Sequence, residues 1–465
     1  MPKIRQPASK LSTQYWLLAL FIGILFVTGG ASRTDVQSLA ILRPLSIIFC
    51  AIAIVTLGCE HLAGRGWLFA SVIGTFLLVL LHVIPLPPAV WRSFTGTQEL
   101  INVEKITELK DVWRPLTFVP LAGWQAALSL FTPLAIILLA VQFRRNELFR
   151  LLPLLILISA LSGLVGLLQA IGDPKGPLYF YRLTNNGSAV GFFANRNHGA
   201  TLLACLFPML ATFASTAKGT AEEVRFRQIL AAAVAIVVIP LILITGSRSG
   251  LVSSFIGLSG AALLYNRPAQ GREIRRGTTD RIKMIPILSG LVVLCMVFIT
   301  FFFSRAKAVE RLFDDVSGEG ARIDFWLVSV DLFFKYFPWG SRSGSYAEAF
   351  QIIEPSRFLD PTYLNRAHND WIEIAVTFGL PGIIALTIAT TAFIWRSSQL
   401  WRVRRDKSVS VMFGRMSSII ILILAIASIS DYPLRTPILM GLLAIFLLWF
   451  TEAARNDASF TGQDA

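Results

Sequence analysis

The chain has 465 residues, of which 54% are hydrophobic and 15% charged, and its mean hydropathy is +0.64. A soluble core cannot enclose so much apolar surface, so the composition excludes a soluble globular protein and predicts an all-α polytopic membrane protein. The formal net charge of +14 follows from Lys and Arg retained on the cytoplasmic side of the membrane, and we therefore expect no binding of nucleic acid.

Apolar runs long enough to cross a bilayer recur along the whole chain, and about twelve are present. They lie near residues 14–30, 39–58, 67–87, 123–142, 150–171, 198–215, 228–245, 249–265, 284–303, 371–395, 414–430 and 436–453. Clusters of Arg and Lys at 144–145, 272–283 and 396–407 fall on one side of these spans. That side should be cytoplasmic, and both termini should lie there too.

The spans divide the chain into four predicted parts. These are N-terminal transmembrane helices at 1–150, a core at 151–395, a C-terminal transmembrane hairpin at 396–454 and a disordered tail at 455–465. Two long connections lie on the outer face, at 88–122 and, between the ninth and tenth spans, at 304–370.

The second long connection contains a helical pattern from Gly320 to Phe337. Trp326, Val330 and Phe333 recur at helical spacing on one face of it, together with Phe337. The pattern predicts a helix that lies on the membrane surface or packs against the spans.

Four short external elements carry an arginine close to the membrane surface, although external connections are usually poor in basic residues. They are Arg196, Arg248, Arg366 and Arg435. Arg248 lies in a very short turn, Thr245-Gly-Ser-Arg-Ser-Gly250, at the start of a helix, where backbone N–H groups favour an anion. A diphosphate matches the fork of an arginine side chain, whereas an ion pair or a lipid headgroup is the alternative partner. For Arg435 the alternative partner is Asp431, four residues away.

A histidine precedes the tenth span in Arg366-Ala-His-Asn-Asp370. Asp370 followed by Glu373 has the pattern of a capping box and predicts Asp370 as the N-cap of the helix. His368 then lies just outside a helix N-terminus, where an imidazole is suited to act as a general base. His198 is the competing candidate and is equally suited to bind a phosphate.

A base that deprotonates a sugar hydroxyl, opposite arginines that hold a diphosphate leaving group, supports direct displacement at an anomeric carbon. This chemistry requires neither a metal nor a cofactor. Asp314-Asp315 is the nearest approach to a metal-ligand pair, and we assign it to the solvated surface of the predicted helix.

These motifs resemble the O-antigen ligase and O-antigen polymerase superfamily of bacterial envelope glycosyltransferases. They are Gly191-Phe-Phe-Ala-Asn-Arg-Asn-His-Gly199, Thr245 to Gly250, Arg322 with Trp326, Pro338-Trp-Gly340, and Ala367 to Trp371 continuing to Gly379-Leu-Pro-Gly382. The resemblance covers roughly residues 150–395, which makes the predicted core an O-antigen ligase-like unit, and Asp431 to Pro437 agrees with it as well.

The resemblance implies a GT-C-like membrane fold in the bacterial inner membrane, with an inverting, metal-independent active site on the periplasmic side. The donor would be a polyprenyl-diphosphate-linked glycan, and the acceptor a growing lipid-linked chain or lipid A-core. His368 would be the catalytic base, and Arg196, Arg248 and Arg435 would bind the diphosphate. The supporting residues are Asn195, His198, Ser247, Arg322, Arg342, Arg366, Asn369 and Asp370.

Acceptor identity separates polymerases from ligases, and we favour a polymerase, with a chain-length regulator as a further candidate partner. A flippase or transporter of lipid-linked glycans is the alternative from another class. Transporters place ionisable residues near the middle of the bilayer, whereas the middles of these spans are almost free of charge.

Overall fold

A computed structural model describes residues 11–109, 111–268, 316–358, 364–402 and 408–460, with side chains except at 145–146, 316–323 and 454–460. Within these ranges the regular secondary structure is helical, and no strand is present. The helices are α1 Thr13–Thr28, α2 Leu39–Val55, α3 Cys59–Leu62, α4 Gly66–Leu80, α5 Pro88–Trp91, α6 Gln98–Thr107, α7 Pro120–Ser129, α8 Phe131–Ala140, α9 Arg145–Phe149, α10 Leu151–Ile171, α11 Arg196–Ser215, α12 Ala221–Thr245, α13 Arg248–Leu264, α14 Val316–Tyr336, α15 Tyr346–Ile353, α16 Asp370–Arg402, α17 Val409–Ser430 and α18 Pro437–Phe460.

The predicted spans correspond to apolar helices wherever the structure describes them. Six helical stretches, one of them α7 and α8 taken together, are at least 18 residues long and apolar enough to cross a bilayer, and five more are apolar with 10–17 residues. Each of these helices coincides with one predicted span, while the ninth predicted span, 284–303, lies outside the described residues. The described part of the chain is therefore all-helical, and its apolar helices are those of a polytopic membrane protein, as the composition predicts.

Helix α11 lies at the centre of the bundle and packs most extensively against α13. Small residues allow this close approach, because Gly250 and Gly257 of α13 face Ala200 and Ala204 of α11, with no room for a Cβ atom at either glycine. Contacts between small residues are a common way for membrane helices to approach closely. The packing sets the N-termini of α11 and α13 side by side.

The predicted helix in the second long connection is present as α14. Val328, Leu332 and Tyr336 form a buried stripe that packs against α15 and α16. The stripe expected from the sequence lies on another side, where Val330 and Phe337 are each 42% exposed. Helix α14 carries apolar residues on two faces. It buries one against the protein, and the other is partly covered, since Phe333 on that face also packs against the buried cluster.

Helix α16 is broken at Gly379, although the sequence predicts one uninterrupted span. Gly379 adopts φ +57° and ψ −139°, a conformation almost restricted to glycine. The break leaves the carbonyl groups of Val376 and Thr377 without helical partners. They accept hydrogen bonds from the N–H groups of Ser341 (2.7 Å) and Arg342 (2.8 Å). The connection that contains Pro338-Trp-Gly340 is thereby docked into the break.

The connections between helices gather at two ends of the bundle. At one end Ser12 donates its N–H to Glu147 at 2.7 Å, and Arg65 pairs with Glu452 at 2.6 Å. The other end, which we call the site end, brings together the connections that follow α1, α10, α12 and α17. Connections at the two ends alternate along the chain, as expected when each predicted span crosses the membrane once.

Candidate functional site

A cavity of about 1150 Å³ opens at the site end. It is lined by parts of 31–38, 180–185, 194–197, 246–252 and 426–432, and by Asn365 and His368. Of the residues predicted from the sequence, Asn195, Arg196, Arg248 and His368 line this cavity. The structure thus brings the predicted base and two of the three predicted diphosphate ligands to one cavity.

Arg196 and Arg248 are the first residues of α11 and α13, and each helix is capped by the residue before it. The side chain of Asn195 accepts the N–H of Asn197 at 2.9 Å, and that of Ser247 accepts the N–H of Gly250 at 2.9 Å. The Ser247 hydroxyl also donates to Asn197 Oδ1 at 2.7 Å, which links the two helix ends. Both positive helix termini therefore lie beside the cavity, which favours an anion there.

Asp431, which follows α17, is the buried centre of the site and is 2% exposed. Its Oδ2 accepts hydrogen bonds from the side-chain amides of Asn195 (2.9 Å) and Asn197 (2.7 Å), and its Oδ1 accepts the N–H of Tyr432 (3.0 Å). Burial by itself raises the pKa of Asp431, but the neighbouring imidazoles of His198 and His368 hold it well below the usual range. The carboxylate is therefore charged and immobile.

His368 lies between Asp431 and the cavity. Its Nδ1 is 3.4 Å from Asp431 Oδ1, its ring centre is 4.9 Å from that of Tyr432, and its side chain is 27% exposed. The residue has φ +50°. This backbone conformation is uncommon for residues other than glycine, and such residues concentrate at functional sites. With Nδ1 beside the carboxylate, Nε2 is the nitrogen left to meet a ligand.

The second histidine, His198, lies on the other side of the same carboxylate. Its Nε2 is 3.8 Å from Asp431 Oδ1, and its side chain is 1% exposed. It does not line the cavity, so this geometry favours His368 over His198 as the group that contacts a ligand.

Arg435 belongs to a second buried network. Its Nε donates to Asp370 Oδ1 at 3.1 Å, and its Nη2 lies 3.3 Å from Glu373 Oε1. Arg366 donates to the same Glu373 oxygen at 2.8 Å. Two arginines thus balance two buried carboxylates, and neither arginine lines the cavity. The alternative partner expected for Arg435, Asp431, is replaced here by Asp370 and Glu373.

The N-cap of α16 is Asn369, so the prediction that Asp370 caps this helix is wrong. The Asn369 side chain accepts the N–H of Ile372 at 3.1 Å. Asp370 instead accepts hydrogen bonds from Arg435 and, at 3.2 Å, from the Ser428 hydroxyl. The reason is that Asp370 is drawn to a cation on a distant part of the chain, and the adjacent amide takes over the cap.

The two remaining predicted residues lie elsewhere. Arg342 is fully buried in the connection docked on α16, where it donates to the carbonyl of Thr95 at 2.7 Å and lies over the ring of Phe118. Burial lowers the pKa of Arg342 to about 10, which keeps it cationic at neutral pH. Arg322 lies in α14, and its side chain is outside the described residues.

Several residues of the site are not among those predicted. Asn197 lies within the Asn195 to Gly199 motif, and the sequence indicates Asp431 only as a partner of Arg435. Arg33 and Arg182 carry the same signal that identifies the other arginines, namely basic residues in predicted external connections, and both line the cavity. Among the described side chains, no group of three or more His, Cys, Asp or Glu is arranged to hold a metal ion, and Asp314-Asp315 lies outside them.

Residues 231–387 match a family described as O-antigen ligase. This match supports the O-antigen ligase and polymerase superfamily that the motifs resemble. No curated protein matches the chain.

The O-antigen ligase match contains part of the site and not all of it. Arg248 and His368 lie within it, as does the break at Gly379. Arg196 and Asp431 lie outside it and are added by the fold. The match and the apolar helices together indicate a glycosyltransferase-like enzyme in the bacterial inner membrane.

Proposed function

We propose that the chain is an inverting, metal-independent glycosyltransferase that transfers a polyprenyl-diphosphate-linked oligo- or polysaccharide en bloc to an acceptor sugar hydroxyl. One observation carries this proposal: His368, backed by the buried carboxylate of Asp431, shares a cavity with Arg196 and Arg248 at two helix N-termini. A base and an anion site facing one space are what glycosyl transfer from a diphosphate requires.

The reaction can be written with these groups. Nε2 of His368 accepts the proton of the acceptor hydroxyl as its oxygen attacks the anomeric carbon from the face opposite the diphosphate. The bond between that carbon and the diphosphate oxygen breaks, and the diphosphate leaves with the electron pair. Arg196 and Arg248 stabilise the charge that develops on the leaving group. Asp431 orients the imidazole and stabilises the imidazolium that forms.

We further propose that the reaction polymerises repeat units of O-antigen or exopolysaccharide at the periplasmic face, so that the acceptor is a growing lipid-linked chain. A ligase that attaches polysaccharide to lipid A-core is the second candidate, favoured by the description of the matched family. Both reactions use the same donor and the same base, and they differ in the acceptor alone.

The test is transfer by the purified protein in detergent, with a polyprenyl-diphosphate-linked repeat unit as substrate and EDTA present. We expect a ladder of products from the wild type and at least a 100-fold lower rate from His368→Ala, because a positioned general base typically contributes about 10²–10⁴-fold. His61→Ala is the matched control, since His61 follows α2 at the other end of the bundle and its Nδ1 accepts a backbone N–H.

The possible products separate the candidates. A single product formed only when lipid A-core is added identifies the ligase. A ladder that disappears with EDTA contradicts metal independence, and full activity of His368→Ala contradicts its role as the base. No transfer by the wild type to either acceptor rejects the proposed function.

A further inference from the structure

Two connections that line the cavity form a surface that the proposed reaction does not use. It consists of residues 31–38, between α1 and α2, and residues 180–185, which precede α11. We call this surface the loop wall. Both ranges lie outside the O-antigen ligase match at 231–387. The family match therefore gives no information about this wall.

The loop wall is fixed relative to the proposed reaction centre. The hydroxyl oxygen of Tyr181 accepts the N–H of Gly30 at 2.7 Å, and Ala194 donates its N–H to the Gly30 carbonyl at 3.1 Å. Asn185 Oδ1 accepts the N–H of Arg196 at 2.9 Å. These bonds join both connections to the start of α11, where Arg196 faces the cavity.

The loop wall carries one positive charge in excess. Arg33 binds Asp35 through two hydrogen bonds, Nε to Oδ1 at 3.0 Å and Nη2 to Oδ2 at 3.2 Å. Arg182 also approaches this carboxylate, with its Nη2 3.8 Å from Asp35 Oδ2, and its side chain is 86% exposed. Hydrogen bonds from Arg33 lower the pKa of Asp35, so the carboxylate is charged. Among the described side chains, the Asp35 carboxylate lies beside both guanidinium groups.

An aromatic ring lines the same cavity as these charges. Phe180 lines the cavity and is 47% exposed, and its ring stacks on Phe192 with a centroid distance of 5.9 Å and an interplanar angle of 24°. An exposed ring held in place by a second ring offers an apolar face to a ligand, and the neighbouring polar groups can orient that ligand. Sugar rings, with C–H groups on one face and hydroxyls at the edge, suit such a surface.

We propose that the loop wall binds a sugar residue bearing an anionic substituent, a carboxylate or a phosphate. This inference rests on the proposed function, which makes the substrate a saccharide. Arg196 and Arg248 are occupied by the diphosphate, which leaves the excess charge of the wall for a second anion. Arg182 contacts that anion, because its long contact with Asp35 is readily exchanged for the paired oxygens of a ligand. Phe180 packs on the sugar ring.

The test is binding to purified protein in detergent at low ionic strength, with two matched oligosaccharides as probes. One contains glucuronate and the other is its carboxyl-reduced form, which differs only at that group. We expect the wild type to prefer the acidic probe by about fivefold, the upper range for one exposed ion pair. Arg182→Gln should remove this preference.

Two further variants sharpen the test. Arg357→Gln makes the same substitution at an exposed arginine that does not line the cavity, and it should keep the preference. Asp35→Asn should strengthen binding of the acidic probe, because Arg33 and Arg182 then lose their competing anion. A phosphate-substituted oligosaccharide in a third arm distinguishes the two kinds of anion, and preference for either one supports the inference.

Equal affinity of the wild type for all probes overturns the inference, as does a preference that survives in Arg182→Gln. These outcomes are independent of the transfer reaction. His368→Ala should retain the preference while losing turnover. If the wild type shows the preference and transfers nothing, the proposed function is wrong and the anionic-saccharide site stands.

Discussion

At the residue scale, the site depends on one buried carboxylate. Asp431 is held by three amide donors, two from the start of α11 and one from the next backbone N–H. A buried charge is tolerated only when it is bonded in this way. Because these hydrogen bonds prevent the carboxylate from rotating, its Oδ1 atom faces Nδ1 of His368 in one fixed orientation.

Asp431→Asn should lower the turnover number by roughly tenfold or more, because the amide neither stabilises an imidazolium nor accepts all of the present hydrogen bonds. Transfer rate and thermal unfolding are measured on the same sample. Glu147→Gln is the control, since Glu147 is also buried and accepts hydrogen bonds from Ser12 and Arg144 at the other end of the bundle. The control should lower the unfolding temperature and leave turnover per folded molecule unchanged. A similar fall in turnover for both variants would show that Asp431 acts through stability alone.

The arginines of the two networks should respond differently to substitution. Arg248→Lys keeps the charge and loses the fork, so turnover should fall roughly tenfold with little change in stability. Arg435→Ala leaves Asp370 and Glu373 buried with one cation fewer, which should destabilise the fold by about 3 kcal/mol. Transfer rates and chemical unfolding curves measure both effects. A loss of diphosphate affinity in Arg435→Ala without loss of stability would restore the prediction that Arg435 binds the donor.

At the scale of elements, the break in α16 joins two motifs that are distant in the sequence. The backbone of 338–342 satisfies the carbonyl groups freed at the break, and the N–H of Leu380 donates to the carbonyl of Pro338 at 2.7 Å. Unpaired backbone groups within a membrane cost several kcal/mol each. The break is therefore stable only with this connection in place, which holds α14 and α15 against the start of α16.

Gly379→Ala should destabilise the protein by about 2 kcal/mol or more, since its φ and ψ are almost restricted to glycine. A Cβ atom there would also collide with the backbone of Pro338. Gly23→Ala is the control, because Gly23 lies inside α1 with no atom within 4 Å of the position that a Cβ atom would take and alanine favours helix. Thermal unfolding in detergent measures both variants. Equal unfolding temperatures would mean that the connection does not depend on the break.

At the scale of the whole molecule, the cavity gathers connections that all fall on the outer side in the predicted topology. They follow α1, α10, α12 and α17 or precede α16. This grouping supports a periplasmic site with both termini in the cytoplasm, which we retain as part of the proposal.

Labelling with a membrane-impermeant maleimide tests this orientation. Cys59 is exposed and follows α2, so a variant retaining only Cys59 should react only after the membrane is permeabilised. Asn185→Cys in a cysteine-free background should react in intact spheroplasts, because Asn185 lines the cavity. The reverse pattern would place the cavity in the cytoplasm and remove the periplasmic assignment.

The sequence by itself determined the class of protein, the positions of the described spans and the resemblance to the O-antigen ligase superfamily. These follow from local composition, since a run of apolar residues must become a helix in lipid wherever it stands in the chain. It also selected Arg196, Arg248 and His368 as candidates, which the structure brings to one cavity, because polar motifs at helix starts are short and local.

Tertiary structure alone decided which of these residues meet. Asp431 contacts both His368 and the start of α11, which precedes Asp431 by more than two hundred residues. Arg435 pairs with the carboxylates of α16 and does not reach the cavity. Neither pairing has a local signature, because a charged side chain takes whichever partner the packing of distant helices brings within reach. The loop wall depends on the same packing, which places Arg33 and Arg182 around a single carboxylate.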